Sequence, residues 1–112
     1  MVLRVPLFRT KKEVFEWIKQ GRKTIDIRKG KPHRGEIAFF QSGPHSIKMK
    51  IIRKETGQLS DVVRLDNFRS VIPVARDLGE AVAYLRGIYG DGGGVFTAYY
   101  LDVYSFDSPL LL

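Results

Sequence analysis

Residues 95–104, Val-Phe-Thr-Ala-Tyr-Tyr-Leu-Asp-Val-Tyr, constrain the fold of this chain more than any other stretch. The run is rich in β-branched and aromatic residues, including Phe96, Tyr99, Tyr100 and Tyr104. Its near-continuous apolar character would be hazardous at an open sheet edge, so this strand has to pair on both sides. The rest of the chain must supply the neighbours.

Residues 2–8 can open a strand, which Pro6 confines to an edge or ends. Thr10 and Glu13 have the spacing of a capping box, which predicts a helix from about Lys11. Val14, Phe15, Trp17 and Ile18 form its apolar face, and Gly21 is its stop. A short strand over 24–28 follows, then a basic loop from Lys29 to Arg34. Gly35-Glu36 turns into a second strand at Ile37–Phe40, and Ser42–His45 is a turn. Ile47, Met49 and Ile51 alternate with Lys48, Lys50 and Ile52, as in a half-buried strand with a lysine-bearing outer face. Beyond Thr56-Gly57-Gln58 the pattern predicts a short helix capped by Ser60, and a connector at Val71–Pro73. Asp77 and Glu80 then head a helix striped by Leu78, Val82, Leu85 and Ile88 or Tyr89, which Gly90 ends. Residues 105–112 read as a frayed tail.

The order is β-α-β-β-β-α-α-β. Few helices separate the strands, which excludes a regular βαβ repeat and predicts an α+β fold, a small bent sheet or open barrel flanked by helices. With 112 residues the chain has room for one domain, 1–112, around a modest core. No apolar run approaches the roughly 20 residues of a membrane span, and the N-terminal apolar stretch is too short for a signal peptide. There is no cysteine, which excludes disulfide-linked partners and thiolate chemistry. A cytoplasmic location is the expectation.

Charge is unevenly spread. Residues 1–54 carry 15 Lys/Arg and 4 Asp/Glu, a net of +11, whereas residues 55–112 carry 4 and 8, a net of −4; together they give +7. Such asymmetry points to a basic face for a polyanion. Within the basic half lies the stretch 21–36, Gly-Arg-Lys-Thr-Ile-Asp-Ile-Arg-Lys-Gly-Lys-Pro-His-Arg-Gly-Glu. Ile25 and Ile27 should face a core, leaving Thr24, Asp26 and Arg28 on the opposite face with Lys23 just before them. A cation, a hydroxyl, a carboxylate and a guanidinium would line one ledge.

Gly21-x-Lys23-Thr24-x-Asp26-x-Arg28, followed by Gly35-Glu36-Ile37-x-Phe39, resembles the signature of ASCH domains of the PUA-like superfamily. The resemblance spans roughly residues 8–103, with Asp26 where Glu is commoner and Glu36 where Asp is usual. It implies a small β-barrel flanked by helices, with the Lys-Thr-acid-Arg residues in a cleft that binds RNA or a nucleotide.

Three chemistries follow. In RNA binding, Lys23, Arg28, Lys29, Lys31 and Arg34 would serve the phosphates, with Lys48 and Lys50 adding charge. A splayed-out base would stack on Tyr89 or Tyr99 and be read by Asp26 and Arg28. Some ASCH proteins are acetylcytidine amidohydrolases that use a Lys, a Thr and a Glu. There Lys23 matches the Lys, the Thr position falls on Asp26 beside Thr24, and the nearest glutamate, Glu80, more simply caps a helix. The catalytic set of that reading is Lys23, Thr24 and Asp26. RNA cleavage by Lys23, Asp26 and Arg28 is the third. No cofactor is expected, and His33 and His45, 12 apart in turns, are not a metal pair. Asp91–Gly94 precedes a strand, so it is a turn and not a phosphate loop.

Overall fold

The computed structural model describes residues 5–91 and 93–104, so the expectations for residues 1–4 and for the tail 105–112 lie outside the described residues. The elements are β1 (Leu7–Arg9), α1 (Lys12–Lys19), β2 (Ile25–Lys29), β3 (Ile37–Ser42) and β4 (His45–Gly57). Then come α2 (Leu59–Val62), α3 (Phe68–Val71), α4 (Leu78–Tyr89) and β5 (Phe96–Val103). All the strands join one curled sheet in the order β1-β3-β4-β5-β2, a half-barrel flanked by short helices. Only β1–β3 is parallel; the other pairs are antiparallel. This is the α+β class predicted from the element order, and β5 pairs on both sides as its apolar run demands.

Local differences have local causes. α1 starts at Lys12 with Lys11 as its N-cap, and no side chain caps it. Thr10 instead extends the β1–β3 ladder, its N–H donating to the Gln41 carbonyl at 2.8 Å, and its hydroxyl turns to that same carbonyl. Gly21, at φ +77, does end the helix, because only glycine adopts that conformation without steric cost. Gln58, not Ser60, is the N-cap of α2, forming a reciprocal capping box with Asp61. The connector at 71–73 is partly helical: α3 forms because Phe68 and Val71 both find the core.

β4 runs well past the predicted stretch. Ile52 is exposed on the outer face as predicted, and a β-bulge between Ile51 and Arg53 breaks the alternation beyond it. Past it, Glu55 accepts from the Tyr100 hydroxyl and from Arg64, which ties the end of β4 to the loop after α2.

Asp77 caps α4, accepting from Glu80 N–H at 2.8 Å, while Glu80 reaches back to the N–H and guanidinium of Arg76. Asp77→Ala should lower stability by about 1 kcal/mol, read as a shifted urea midpoint at unchanged slope. No change in midpoint would deny the cap any energetic role.

Register and curl together position the site. Asp26 pairs with Tyr99 and Arg28 with Thr97, so these side chains share a face, and Phe8 packs against Phe40 and Tyr99 inside the curl. Ile25 and Ile27 are buried on the other face, as predicted.

A candidate binding cleft at the open seam of the half-barrel

β1 and β2 are the two end strands of the sheet, so the half-barrel is open between them. Arg28 crosses this seam. Its Nη1 donates to the Arg9 carbonyl of β1 at 2.9 Å, and its Nε donates to Asp26 Oδ2 at 2.6 Å. The guanidinium lies 4.7 Å from the centre of the Phe8 ring, a favourable cation–π placement. Asp26 is 3% exposed, and its second cation is Lys23, whose Nζ stands 3.9 Å from Oδ1.

Lys23 is equally buried. The backbone turns after Gly21, with Arg22 and Lys23 N–H both donating to the Trp17 carbonyl, and this drives the side chain inward. Its ammonium donates to the Ile25 carbonyl at 2.7 Å and to the Val71 carbonyl at 2.6 Å, clamping α3 onto β2. Burial pushes its pKa down to about 8; Asp26 opposes the shift and Arg28 adds to it.

These residues form one wall of a cleft of about 90 Å³. Arg9, Thr10 and Lys11 border it from the β1–α1 junction, and Tyr84, Leu85, Ile88 and Tyr89 from α4. Tyr89 is held in place by its hydroxyl, which donates to the Ile27 carbonyl at 2.7 Å. Tyr84 donates to Glu13 at 2.6 Å, and Lys11 Nζ lies 5.5 Å from the centre of its ring. Burial raises the phenol pKa of both tyrosines, with the Glu13 bond adding to the shift at Tyr84. Both stay neutral donors at ordinary pH. The cleft can accept an N–H at Asp26, present cations at its rim and offer aromatic surface.

The structure brings together Lys23, Asp26, Arg28 and Tyr89 from the predicted set. Thr24 is exposed and does not border the cleft; its N–H and carbonyl are bound to Ser70 and Leu101 across neighbouring elements. Tyr99 is fully buried, its hydroxyl accepting from the His33 N–H at 2.9 Å, so it is a core residue and not a stacking platform. Lys29, Lys31 and Arg34 are exposed on the end of β2 and the following loop. Lys48 and Lys50 lie elsewhere: Lys48 covers the rings of Tyr104 and Phe39, and Lys50 pairs across the strands with Asp102. Glu80 is engaged by Arg76 away from the cleft. Among the described residues no group of three His, Asp or Glu could hold a metal ion, and no helix is long and apolar enough to cross a membrane.

Arg9, Lys11 and Tyr84 were missed in the sequence. Tyr84 had a signal, one turn before Ile88 on the same α4 stripe. Arg9 and Lys11 had none, because only the closing of β1 toward β2 brings them to Arg28.

No family model matches the chain, and no curated protein matches it in sequence. Solved structures of similar fold include two that cover most of the chain. One is the crystal structure of hypothetical protein PH0355, with TM-score 0.71 and 15% identity, covering 88% of this chain and 98% of the other. The other is the solution structure of protein PF0455 from Pyrococcus furiosus, with TM-score 0.63 and 17% identity, covering 92% of this chain and 100% of the other. At such low identity the likeness is one of fold: the curled five-stranded half-barrel is an arrangement that other sequences also adopt.

Proposed function

We propose that this chain is an ASCH-type domain of the cytoplasm that binds single-stranded RNA or a nucleotide in the seam cleft. The observation that carries the reading is the buried Lys23–Asp26–Arg28 cluster opening into a cleft rimmed by Arg9 and Lys11. Purely structural ion pairs do not need an adjoining cleft with exposed cations. Phosphates would meet Arg9, Lys11 and the outer side of Arg28, while a base would enter beside Tyr89. Anisotropy of a labelled single-stranded RNA should show affinity falling steeply with salt. Lys11→Ser should reduce the log–log slope by roughly 0.7, the loss of one phosphate contact. Undetectable or salt-independent binding would sink the reading.

A hydrolase is the second reading, favoured by one observation. A lysine with a pKa near 8 is partly neutral just above physiological pH and can take a proton. Weighing against it, two of its N–H groups are already donated to carbonyls, and Thr24 and Glu80 stand outside the cleft. Incubation with acetylcytidine at high protein loading, read by chromatography, decides: released cytidine supports the enzyme, unchanged substrate ends it. A parallel incubation with labelled RNA reads strand cleavage.

A further inference from the structure

Asp26 is 3% exposed, yet only one of its carboxylate oxygens has a donor. Oδ2 accepts from Arg28, whereas Oδ1 accepts no hydrogen bond from any described residue; the nearest cation, Lys23 Nζ, is at 3.9 Å and out of reach. Among the described residues no side-chain oxygen is both sealed off and unpartnered, so Oδ1 is reached from the cleft that Asp26 borders. Oδ1 is thus an open acceptor on an otherwise buried carboxylate, available to a donor that enters the cleft.

Beside it, Lys23 has three N–H groups and donates two, to Ile25 and Val71, which leaves one. Both residues border the cleft, so an acceptor and a donor stand 3.9 Å apart on its wall. Arg28 uses Nε on Asp26 and one Nη1 hydrogen on the Arg9 carbonyl, and its remaining N–H groups are those that would meet phosphate.

We propose that this pair reads the Watson–Crick edge of a single nucleobase, with Asp26 Oδ1 accepting a base N–H and Lys23 donating to the neighbouring ring nitrogen or carbonyl oxygen. The inference rests on the nucleotide-binding reading of the cleft and fixes which end of the ligand goes in. A fully ionised phosphate has no hydrogen to offer Oδ1, so at this position it could use Lys23 but would leave the acceptor unmatched. A neutral base edge carries both complementary groups. The space fits this orientation too. At about 90 Å³ the cleft is smaller than the roughly 150 Å³ cavity that encloses benzene, so a ring edge enters while the ring body rests by Tyr89.

Calorimetric titration of the full chain tests the assignment. The ligands are the four nucleoside 5′-monophosphates, their counterparts methylated on the Watson–Crick edge, and ribose 5-phosphate. At least one monophosphate should bind, its methylated counterpart about tenfold or more weakly, as expected when a buried partner is left unpaired. Ribose 5-phosphate should not bind at the same concentrations. Asp26→Asn, which turns an acceptor-only group into a mixed one, should weaken the preferred monophosphate by a similar factor. If that variant fails to fold, the methylated ligands, used on the unaltered protein, still decide. Equal binding of methylated and plain bases, or ribose 5-phosphate binding as tightly as the monophosphates, overturns edge reading and leaves nucleotide binding standing. RNA binding without any monophosphate binding overturns edge reading alone. No binding of monophosphates or RNA overturns both.

Discussion

Asp26→Ala should cost about 3–5 kcal/mol of stability, the largest loss expected from any single substitution in the seam. The reason is what it leaves behind. Lys23, 3% exposed, would keep a charge with no counter-ion, and Arg28 would lose the carboxylate that orients its Nε while still lying across the seam. For a small domain such a loss is a large share of the total stability. Urea denaturation measures it directly. A midpoint within experimental error of the unaltered protein would mean that the cluster contributes nothing to holding β2 against β1.

The second large effect is a dependence on pH. Lys23 has a pKa of about 8 in the fold against an ordinary 10.5. Between those values the unfolded chain keeps the proton that the folded chain has released. The unfolded state then binds more protons, and stability rises with pH across that interval. Below pH 8 both states are protonated and the contribution is flat at its lowest value. From pH 7.5 to 10 the gain should be about 2 kcal/mol. The window closes near pH 10, where the buried phenols of Tyr89 and Tyr99, whose pKa values are raised, begin to favour the folded state less than unfolded tyrosinate. Lys23→Met lacks the titrating group and should lack the rise. It also leaves the Ile25 and Val71 carbonyls without their donor, so it should be less stable than the parent at pH 7.5. Urea midpoints at pH 7.5, 9 and 10 test both points, and parallel curves for the two proteins would show that Lys23 titrates normally.

The architecture was legible because it rests on period-two alternation and on one strand too apolar for an edge. The same alternation correctly buried Ile25 and Ile27. It also put Ile52 on the outer face, where it is exposed, but gave no sign of the one-residue bulge between Ile51 and Arg53. The capping rule failed at Thr10 because a parallel ladder with β3, invisible in the local sequence, claims that residue. Asp26 and Arg28 could be placed together from strand geometry alone. That Lys23 is buried could not be foreseen, since one of its two acceptors, Val71, lies 48 residues away on a helix that reads as a connector. The basic half was legible as composition but not as geometry. Lys48 and Lys50 fall on the β4 face near Tyr104 and Asp102, while the cleft rim takes its cations from Arg9 and Lys11.

That division supplies the most direct test, a residue-resolved NMR titration of the chain with a short single-stranded RNA. Saturable shifts should concentrate at Arg9–Lys11, Lys23–Arg28 and Tyr84–Tyr89. Shifts confined to Phe39, Lys48 and Lys50, or none at all, would contradict a binding cleft at the seam.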